Sequence, residues 1–339
     1  MTEHLSESYD VVVVGGGAAG LSAALVLARA QRSVLVVDAG APRNASSPGV
    51  HGLLGQDGIS PVELVTRGRM EVRRYGGQLV AGEVAAATRD RAGFSVSLVD
   101  DRSTHARQLL VATGLVDKLP DVPGISDRWG RDVLHCPYCH GWEFRGQAIG
   151  VLACGPSSVH QALLFRQLTD DIVYFAHSMP PPSGDEAEQL SARDIRVVTG
   201  EVASLELHDN RLVGVRLGNG VTVGRAALAV SPRMVPRIDF LAELGLQTAD
   251  HAKVVGKHIP ADPTGRTDIP GVWVAGNVTD PTAQIGAAAS AGVTAAMQIN
   301  ADLVAEETRR AVAARRDPFS PESEARVCEA VLGHRRHGL

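Results

Sequence analysis

Residues 10–20 read Asp-Val-Val-Val-Val-Gly-Gly-Gly-Ala-Ala-Gly, and this stretch decides the fold. The apolar run up to Val14 predicts a short buried strand, and the Ala-rich residues 21–30 predict a helix. A second strand is expected at residues 33–37, directly before Asp38. A G-x-G-x-x-G sequence between a strand and a helix is typical of a turn that binds a dinucleotide.

The glycines of this turn have separate tasks in a dinucleotide site. Gly15 allows the tight turn, Gly17 lets the backbone approach a pyrophosphate, and Gly20 lets the helix pack against the strand. The phosphates would lie at the helix N-terminus, where free N–H groups favour anions. Asp38 is placed to accept hydrogen bonds from the ribose. A tight turn in another α/β protein is the alternative, but the strand, helix, second strand and terminal acid together favour the dinucleotide.

The residues that follow predict a loop, a helix and a strand of the same unit. Residues 42–58, rich in Gly, Asn and Ser, are expected to wrap around the cofactor. Ser60-Pro61-Val62-Glu63 is a capping box and predicts a helix that ends near Tyr75. A strand is expected at residues 109–114, and its end, Ala112-Thr113-Gly114, suits a close backbone approach.

A second strand–turn–helix unit begins at Ala148 and repeats the pattern of the first. Asp209-Asn210 and Asn219-Gly220 predict the hairpin turns of a β-meander attached to it. Another strand is expected at residues 271–276, followed by a helix of small residues at 284–297 and a last helix from Ser320.

Composition and charge exclude several classes of protein. The 339 residues are 44% hydrophobic and 21% charged, which is typical of a globular protein long enough for two domains. A net charge of −5 offers no electrostatic footprint for nucleic acid. No apolar run approaches the ~20 residues of a membrane span, and Glu3 and Glu7 do not fit a signal peptide. We therefore expect a cytoplasmic protein.

The second Gly-rich turn is degenerate. It reads Ala153-Cys154-Gly155-Pro156-Ser157-Ser158, in which only Gly155 matches the fingerprint. An NADPH site needs Arg residues after the next strand, and an NADH site needs an acid. That strand instead ends in Ala176-His177-Ser178-Met179-Pro180. The domain is expected to have kept its fold and lost its nucleotide; binding of NADPH through altered contacts is the alternative.

A closely spaced cysteine pair, Cys136-Pro137-Tyr138-Cys139-His140, precedes this second unit. Four cysteines in a cytoplasmic chain do not form a disulfide scaffold, so a C-x-x-C pair indicates redox or metal chemistry. Zinc would need two further ligands from a second cluster, and haem attachment would need an export signal. A structural pair of thiols stays possible. Cys154 and Cys328 lack such a context and are expected to be packing residues.

These motifs together resemble the low-molecular-weight thioredoxin reductase family over roughly residues 8–305. The first fingerprint, Ala112-Thr113-Gly114, the C-x-x-C pair and the sequence Gly-Val-Trp-Val-Ala-Gly-Asn-Val-Thr-Asp at 271–280 occur in the family's order. The resemblance implies an α/β protein with two Rossmann-like, doubly wound, three-layer dinucleotide-binding domains, and a homodimer. It also implies a discontinuous FAD domain, 1–117 and 237–305, around a degenerate pyridine-nucleotide-type domain, 118–236. Residues 306–339 are expected to form a C-terminal helical extension, and its Arg-rich tail, Arg309 to Leu339, could be a dimer arm, a lid or a solvated helix.

The resemblance also assigns site residues. The family has Gly-Asp where this chain has Gly276-Asn277, and an Asn oxygen can still accept the ribityl hydrogen bond. The helix after Gln284 would direct its N-terminus at the flavin, where the dipole stabilises negative charge. The residues expected to bind FAD are Gly15, Gly16, Gly17, Ala18, Gly20, Asp38, Arg43, Asn44, His51, Val84, Ala112, Thr113, Gly114, Gly276, Asn277, Gln284 and Ile285. No metal site is expected.

Within the family, Cys139 is implied to face the flavin and Cys136 to meet the substrate sulfur. The family has Asp after the second cysteine, whereas His140 stands here and can exchange a proton with a thiol near neutral pH. The C-P-Y-C-H segment and the degenerate turn resemble the dithiol oxidases of gliotoxin and holomycin biosynthesis. Those enzymes form a disulfide in a small natural product and pass electrons through FAD to oxygen.

The resemblance therefore predicts an FAD-dependent dithiol oxidase with a small-molecule dithiol as substrate, molecular oxygen as acceptor and hydrogen peroxide as product. Tyr138 and Trp142 are candidates to shape a pocket for a flat substrate, or are ordinary packing residues. Two other functions stay open. One is a reductase of thioredoxin-like proteins fed by NADPH or ferredoxin, and the other is a non-catalytic flavin-binding interaction protein.

Overall fold

The Val-rich strand near the N-terminus lies in the middle of a seven-stranded sheet. In the computed structural model, which describes residues 5–252, 254–317 and 321–332, Val11 and Val13 pack into the core on one face of this sheet. Val12 and Val14 pack into the core on the other face. A strand buried on both faces is apolar at every position, which explains the uninterrupted Val run.

The elements are numbered in chain order. The helices are α1 (Ala18–Arg29), α2 (Pro61–Arg74), α3 (Ile125–Arg128), α4 (Pro137–His140), α5 (Ser158–Phe165), α6 (Asp185–Ala192), α7 (Ile285–Arg316) and α8 (Pro321–Leu332). Short 3-10 helices span Trp142–Phe144, Asp239–Leu244 and Gly276–Val278. The first strands are β1 (Ser8–Val14), β2 (Val34–Asp38), β3 (Gln78–Ala81), β4 (Val84–Arg89), β5 (Phe94–Leu98), β6 (Ser103–Val111), β7 (Leu115–Lys118), β8 (Val133–Leu134), β9 (Ile149–Leu152) and β10 (Ile172–Phe175). The remaining strands are β11 (Arg196–Val198), β12 (Val202–His208), β13 (Arg211–Leu217), β14 (Thr222–Gly224), β15 (Ala227–Val230), β16 (Arg233–Pro236), β17 (Ala249–Asp250), β18 (Lys257–His258) and β19 (Val272–Val274).

The first sheet has the order β3-β2-β1-β6-β5-β4, and β19 also pairs with β6. Its pairs β1–β2, β1–β6, β2–β3 and β6–β19 are parallel, whereas β4–β5 and β5–β6 are antiparallel. Because β19 comes from the far end of the chain, the unit built on this sheet is discontinuous in sequence.

The second sheet has the order β11-β10-β9-β15-β8, and all its pairs are parallel. The meander β12-β13-β14 forms a separate antiparallel sheet, and its turns lie at the two predicted hairpin sites. Strands β7 and β16 pair antiparallel, where the chain leaves the first unit and returns to it. The predicted α/β fold with two dinucleotide-type units is confirmed, while the exact domain limits stay a prediction.

The predicted end of the helix at residue 297 is wrong, because α7 continues to Arg316 and so runs past the expected domain limit at residue 305. Its extra turns contact the first sheet's unit through the buried Ile299 and Leu303 and through ion pairs at Glu306 and Glu307. Arg32 Nη1 lies 2.6 Å from Glu307 Oε1, and Arg107 Nη2 lies 2.9 Å from Glu306 Oε2. The partners are about 200 residues or more apart in the chain, so no local pattern could indicate them.

The predicted helix after the capping box is confirmed as α2, although the Ser60 side chain makes no cap hydrogen bond. Helix α8 starts at Pro321, whereas Ser320 lies outside the described residues. Within residues 5–252, 254–317 and 321–332, no helix combines the length and the apolar character needed to cross a bilayer.

Candidate active site

A cavity of about 1300 Å³ lies between the two units, and nearly all of the predicted site residues line it. It is lined by Cys136, Cys139 and His140 and by Gly15, Gly16, Gly17, Ala18, Asp38, Arg43, Asn44, His51, Val84, Ala112, Thr113, Gly114, Gly276, Asn277, Gln284 and Ile285. Gly20 does not line it. A Cβ built on Gly20 would lie 1.9 Å from the Gly15 carbonyl oxygen, so this glycine serves the packing behind the turn.

The first Gly-rich turn has the shape that a pyrophosphate requires. Gly15 has a φ of +109°, and a Cβ there would lie 2.4 Å from the Ala112 carbonyl oxygen. A Cβ on Gly17, in contrast, would meet no atom within 4 Å. Gly17 is also the N-cap of α1 and no side chain caps the helix, so its first N–H groups stay available for an anion. The turn therefore fits the phosphates of FAD.

We expect Gly17→Val to release FAD from a chain that still folds. Gly17 has an ordinary extended backbone, φ −81° and ψ −171°, so a side chain is tolerated there but occupies the phosphate space. The flavin-to-protein absorbance ratio after gel filtration measures the loss, and circular dichroism checks the fold. Gly218→Val, in the remote meander, is the control, because a Cβ there meets only the Glu201 oxygen, at 3.7 Å. Full flavin content in Gly17→Val contradicts the assignment.

The residues expected at the ribose and the ribityl chain are held by protein contacts. Asp38 accepts hydrogen bonds from Arg69 on α2 and from the Gly40 N–H. A Cβ on Gly16 would lie 2.5 Å from Asp38 Oδ2, so Gly16 makes room for this carboxylate. Asn277 Nδ2 donates to the carbonyl oxygens of Asp280, Pro281 and Ala283, at 3.0, 3.4 and 2.8 Å. The Asn277 oxygen is therefore the atom left for a ligand.

The two cysteines lie on α4, and Cys136 is close to the N-terminus of α7. Cys136 is the N-cap of α4, and Gln284 Nε2, at the N-cap of α7, lies 3.9 Å from Cys136 Sγ. A hydrogen bond from the Cys139 thiol and the N–H groups of Tyr138 and Cys139 lower the pKa of Cys136 to about 7. The same pairing with Cys136, together with burial, raises the pKa of Cys139. In the reduced pair, Cys136 is thus the sulfur that ionises first.

His140 is half-buried next to this pair. Burial is the main reason that its pKa lies below the usual value, and the neighbouring His51 adds to the effect. Its Nε2 is hydrogen-bonded to the Ser47 hydroxyl, on the loop between β2 and α2. The ring of His51 lies edge-on to that of His140, with centroids 6.5 Å apart. A neutral imidazole beside two thiols can accept a proton.

Arg43 and His51 line the cavity but also contact carboxylates of the protein. Arg43 forms a bidentate pair with Asp117 on β7, with nitrogen–oxygen distances of 2.8 and 2.7 Å. This guanidinium favours the thiolate forms of both cysteines. His51 lies 3.4 Å from Asp57 Oδ2 and 3.5 Å from Glu143 Oε1. We infer that Arg43 contributes positive charge at the reacting sulfurs.

The second Gly-rich turn is filled by the protein itself. The buried Ser158 hydroxyl accepts the backbone N–H groups of Cys154 and Gly155, at 3.0 and 3.3 Å. A Cβ on Gly155 would lie 2.7 Å from Val255 Cγ2, so a segment of the other unit closes over the turn. His177, after β10, accepts the Val202 N–H on its Nδ1. The N–H groups of Cys154 and Gly155 are thus occupied, and Pro156 has no N–H to offer a phosphate.

Some residues of the site could not be found by sequence reasoning. Ser47, Arg69 and Asp117 carry no motif, and their partners are 93, 31 and 74 positions away. The Ser-rich loop was expected at the cofactor, but no spacing links Ser47 to His140. Of the two candidate pocket aromatics, Tyr138 lines the cavity, whereas Trp142 is 65% exposed outside it, with Arg145 4.3 Å above its ring.

Comparisons with known proteins place this geometry among redox enzymes. Residues 9–298 match the sequence profile of the family described as "Pyridine nucleotide-disulphide oxidoreductase". Thioredoxin reductase tcpT of Claviceps purpurea is 31% identical over 80% of this chain and 87% of its own length. Thioredoxin reductase sirT of Leptosphaeria maculans is 30% identical over 86% of this chain and 93% of its own. The crystal structure of HlmI superimposes with a TM-score of 0.86 at 45% identity, covering 93% of this chain and 99% of HlmI.

Proposed function

Since the chain belongs to the pyridine nucleotide-disulphide oxidoreductase family, it is an FAD-dependent thiol/disulfide oxidoreductase, and we propose that it acts as a dithiol oxidase. In the proposed reaction a small-molecule dithiol becomes a disulfide, and molecular oxygen becomes hydrogen peroxide. We also propose a homodimer, as the resemblance implies, and a cytoplasmic location, as the composition predicts.

One observation carries the proposal: the cysteine pair shares a cavity with the FAD-binding residues, while the second nucleotide turn is filled by Ser158. Electrons can therefore enter from a thiol through Cys136 without a nucleotide pocket. The same cavity is also lined by Ser157, His160 and Leu164 of the second unit, and we infer that a small substrate binds beside the sulfurs in this part.

The chain's own residues account for the thiol chemistry. His140 takes the proton of one substrate thiol, and the resulting thiolate attacks Cys136 Sγ in the oxidised Cys136–Cys139 pair. The bond between the two cysteines breaks and Cys139 receives the electron pair. The second substrate thiol then loses its proton and attacks the first substrate sulfur, which releases Cys136. The backbone N–H groups of Tyr138 and Cys139 stabilise the Cys136 thiolate and so make it a better leaving group. Bound FAD supplies the acceptor for the two electrons that the cysteine pair has gained.

A second candidate function is reduction of a thioredoxin-like protein, with electrons from NADPH or ferredoxin. The names of the relatives tcpT and sirT favour it, because both are called thioredoxin reductases. The two functions differ in the direction of electron flow. Aerobic turnover with a small dithiol, followed through peroxide formation, tests the proposed one, and a flavin that no small dithiol reduces contradicts it.

We expect His140→Ala to slow reduction of the flavin by dithiol about 10²–10⁴-fold, the usual contribution of a general base. Because its pKa is lowered from 6.5, His140 is neutral above that lowered value and becomes protonated as the pH falls through it. The wild-type rate should fall on that acidic side, and the variant should lack this fall. His140→Gln, which cannot take up the proton, should match the alanine variant in stopped-flow traces. A normal rate and pH profile in both would reduce His140 to a packing residue.

A further inference from the structure

The Ser47 hydroxyl lies between the His140 ring and a backbone carbonyl. Ser47 is 8% exposed, and its Oγ is hydrogen-bonded to His140 Nε2. The same oxygen lies 3.2 Å from the Gly49 carbonyl oxygen, to which it donates. Ser47 and His140 come from different units, the loop before α2 and the helix α4. The contact therefore joins His140 to a loop of the other unit.

The direction of these hydrogen bonds decides which ring nitrogen is basic. A hydroxyl has one proton, and a carbonyl oxygen can only accept. When Ser47 donates to Gly49, its oxygen must accept from His140, so the proton of the neutral ring lies on Nε2. The lone pair is then on Nδ1. Burial lowers the pKa of His140, so the ring is neutral near pH 7 and carries its proton on one nitrogen only.

We propose that Ser47 is a positioning residue that holds His140 in the Nε2–H tautomer, so that Nδ1 is the atom that takes the proton of the substrate thiol. The identity of that thiol rests on the proposed function, whereas the tautomer does not. A hydrogen-bonding partner on one imidazole nitrogen commonly fixes the role of the other in this way.

None of the neighbouring ionisable groups in the described residues takes the place of Ser47 at His140 Nε2. His51 faces the ring from the same loop, but its nitrogens are directed at Asp57 and Glu143. Glu143, on the 3-10 helix after α4, raises the pKa of His140 without replacing the Ser47 contact. Cys136 and Cys139 lie on the same short helix as His140, and Arg43 acts on those sulfurs.

The tautomer can be read directly from the nitrogen chemical shifts of the holoprotein labelled with ¹⁵N-histidine, with His140 assigned by comparison with His140→Gln. We expect a protonated Nε2 and an unprotonated Nδ1 in the wild type and in Ser47→Thr, which keeps the hydroxyl. Ser47→Ala should move towards a mixture of tautomers. Its anaerobic flavin reduction by dithiothreitol should fall about 10–100-fold, as for other groups that orient a reacting ligand.

Ser46→Ala is the matched control, because Ser46 is the adjacent hydroxyl and packs against Gly130. It should keep both the tautomer and the rate. A wild-type His140 with its proton on Nδ1 overturns the proposal without any variant. An unchanged tautomer or an unchanged rate in Ser47→Ala also overturns it. A wild-type flavin that dithiothreitol does not reduce contradicts the proposed function instead, and the tautomer is still measured.

Discussion

Dithiothreitol should bleach the flavin of this protein in the absence of air, whereas millimolar NADPH should leave it oxidised or reduce it far more slowly. The N–H groups of Cys154 and Gly155 already donate to Ser158 Oγ and are not available to the phosphates of the nucleotide. The residues after β10 supply no arginine for the 2′-phosphate. Each charge-assisted hydrogen bond contributes roughly 1.5–3 kcal/mol. The loss of two such hydrogen bonds weakens the binding of NADPH by about 3–6 kcal/mol, which is 10²–10⁴-fold in affinity.

One anaerobic cuvette tests this expectation. The flavin absorbance is followed after addition of NADPH and, in a second sample, of dithiothreitol. Admission of air to the reduced sample should restore the yellow colour and produce peroxide. Rapid, stoichiometric bleaching by micromolar NADPH contradicts the proposed function and favours a reductase. Bleaching by dithiol with very slow reoxidation in air favours a protein electron partner such as ferredoxin.

Replacement of either redox cysteine should abolish dithiol turnover, because a serine oxygen cannot form the disulfide. The two variants should nevertheless differ in colour. In Cys136→Ser, Cys139 no longer competes with Cys136 for the negative charge, so its thiolate can lie beside oxidised FAD and give a long-wavelength absorption band. Cys139→Ser should lack this band. The prediction follows from the expectation that Cys139 faces the flavin.

Absorption spectra of the two variants between pH 6 and 9 measure this difference. Cys154→Ser is the control, since burial raises the pKa of Cys154 to about 11 and leaves it a thiol. It should keep wild-type turnover and show no new band. The band in Cys139→Ser alone would reverse the roles of the two sulfurs. Its absence from both variants would mean that neither sulfur lies next to the flavin.

The fold and the main chemistry of this protein could be predicted from sequence because they depend on neighbouring residues. Four consecutive valines indicate a strand buried on both faces, and the glycines of the first turn follow it directly. The turn requires a positive φ at Gly15, +109°, and a glycine at that position in the sequence is enough to indicate it. Cys136 and Cys139 are also close in sequence, and their spacing places both on one short helix, with Cys136 as its N-cap.

Tertiary structure alone decided the contacts between distant segments. Ser47 reaches His140, and Arg43 reaches Asp117, only because the loop after β2 folds over the junction of the two units. Helix α7 runs past residue 297, where Ile299 and Leu303 pack into the core and Glu307 and Glu306 pair with Arg32 and Arg107. The side-chain pattern of a segment determines the secondary structure and the turns of that segment. Which residue 70 to 270 positions away it contacts depends instead on the order of the strands in the sheet and on how the loops close. For this reason the sequence predicts the cysteine pair, and the structure adds the side chains that surround it.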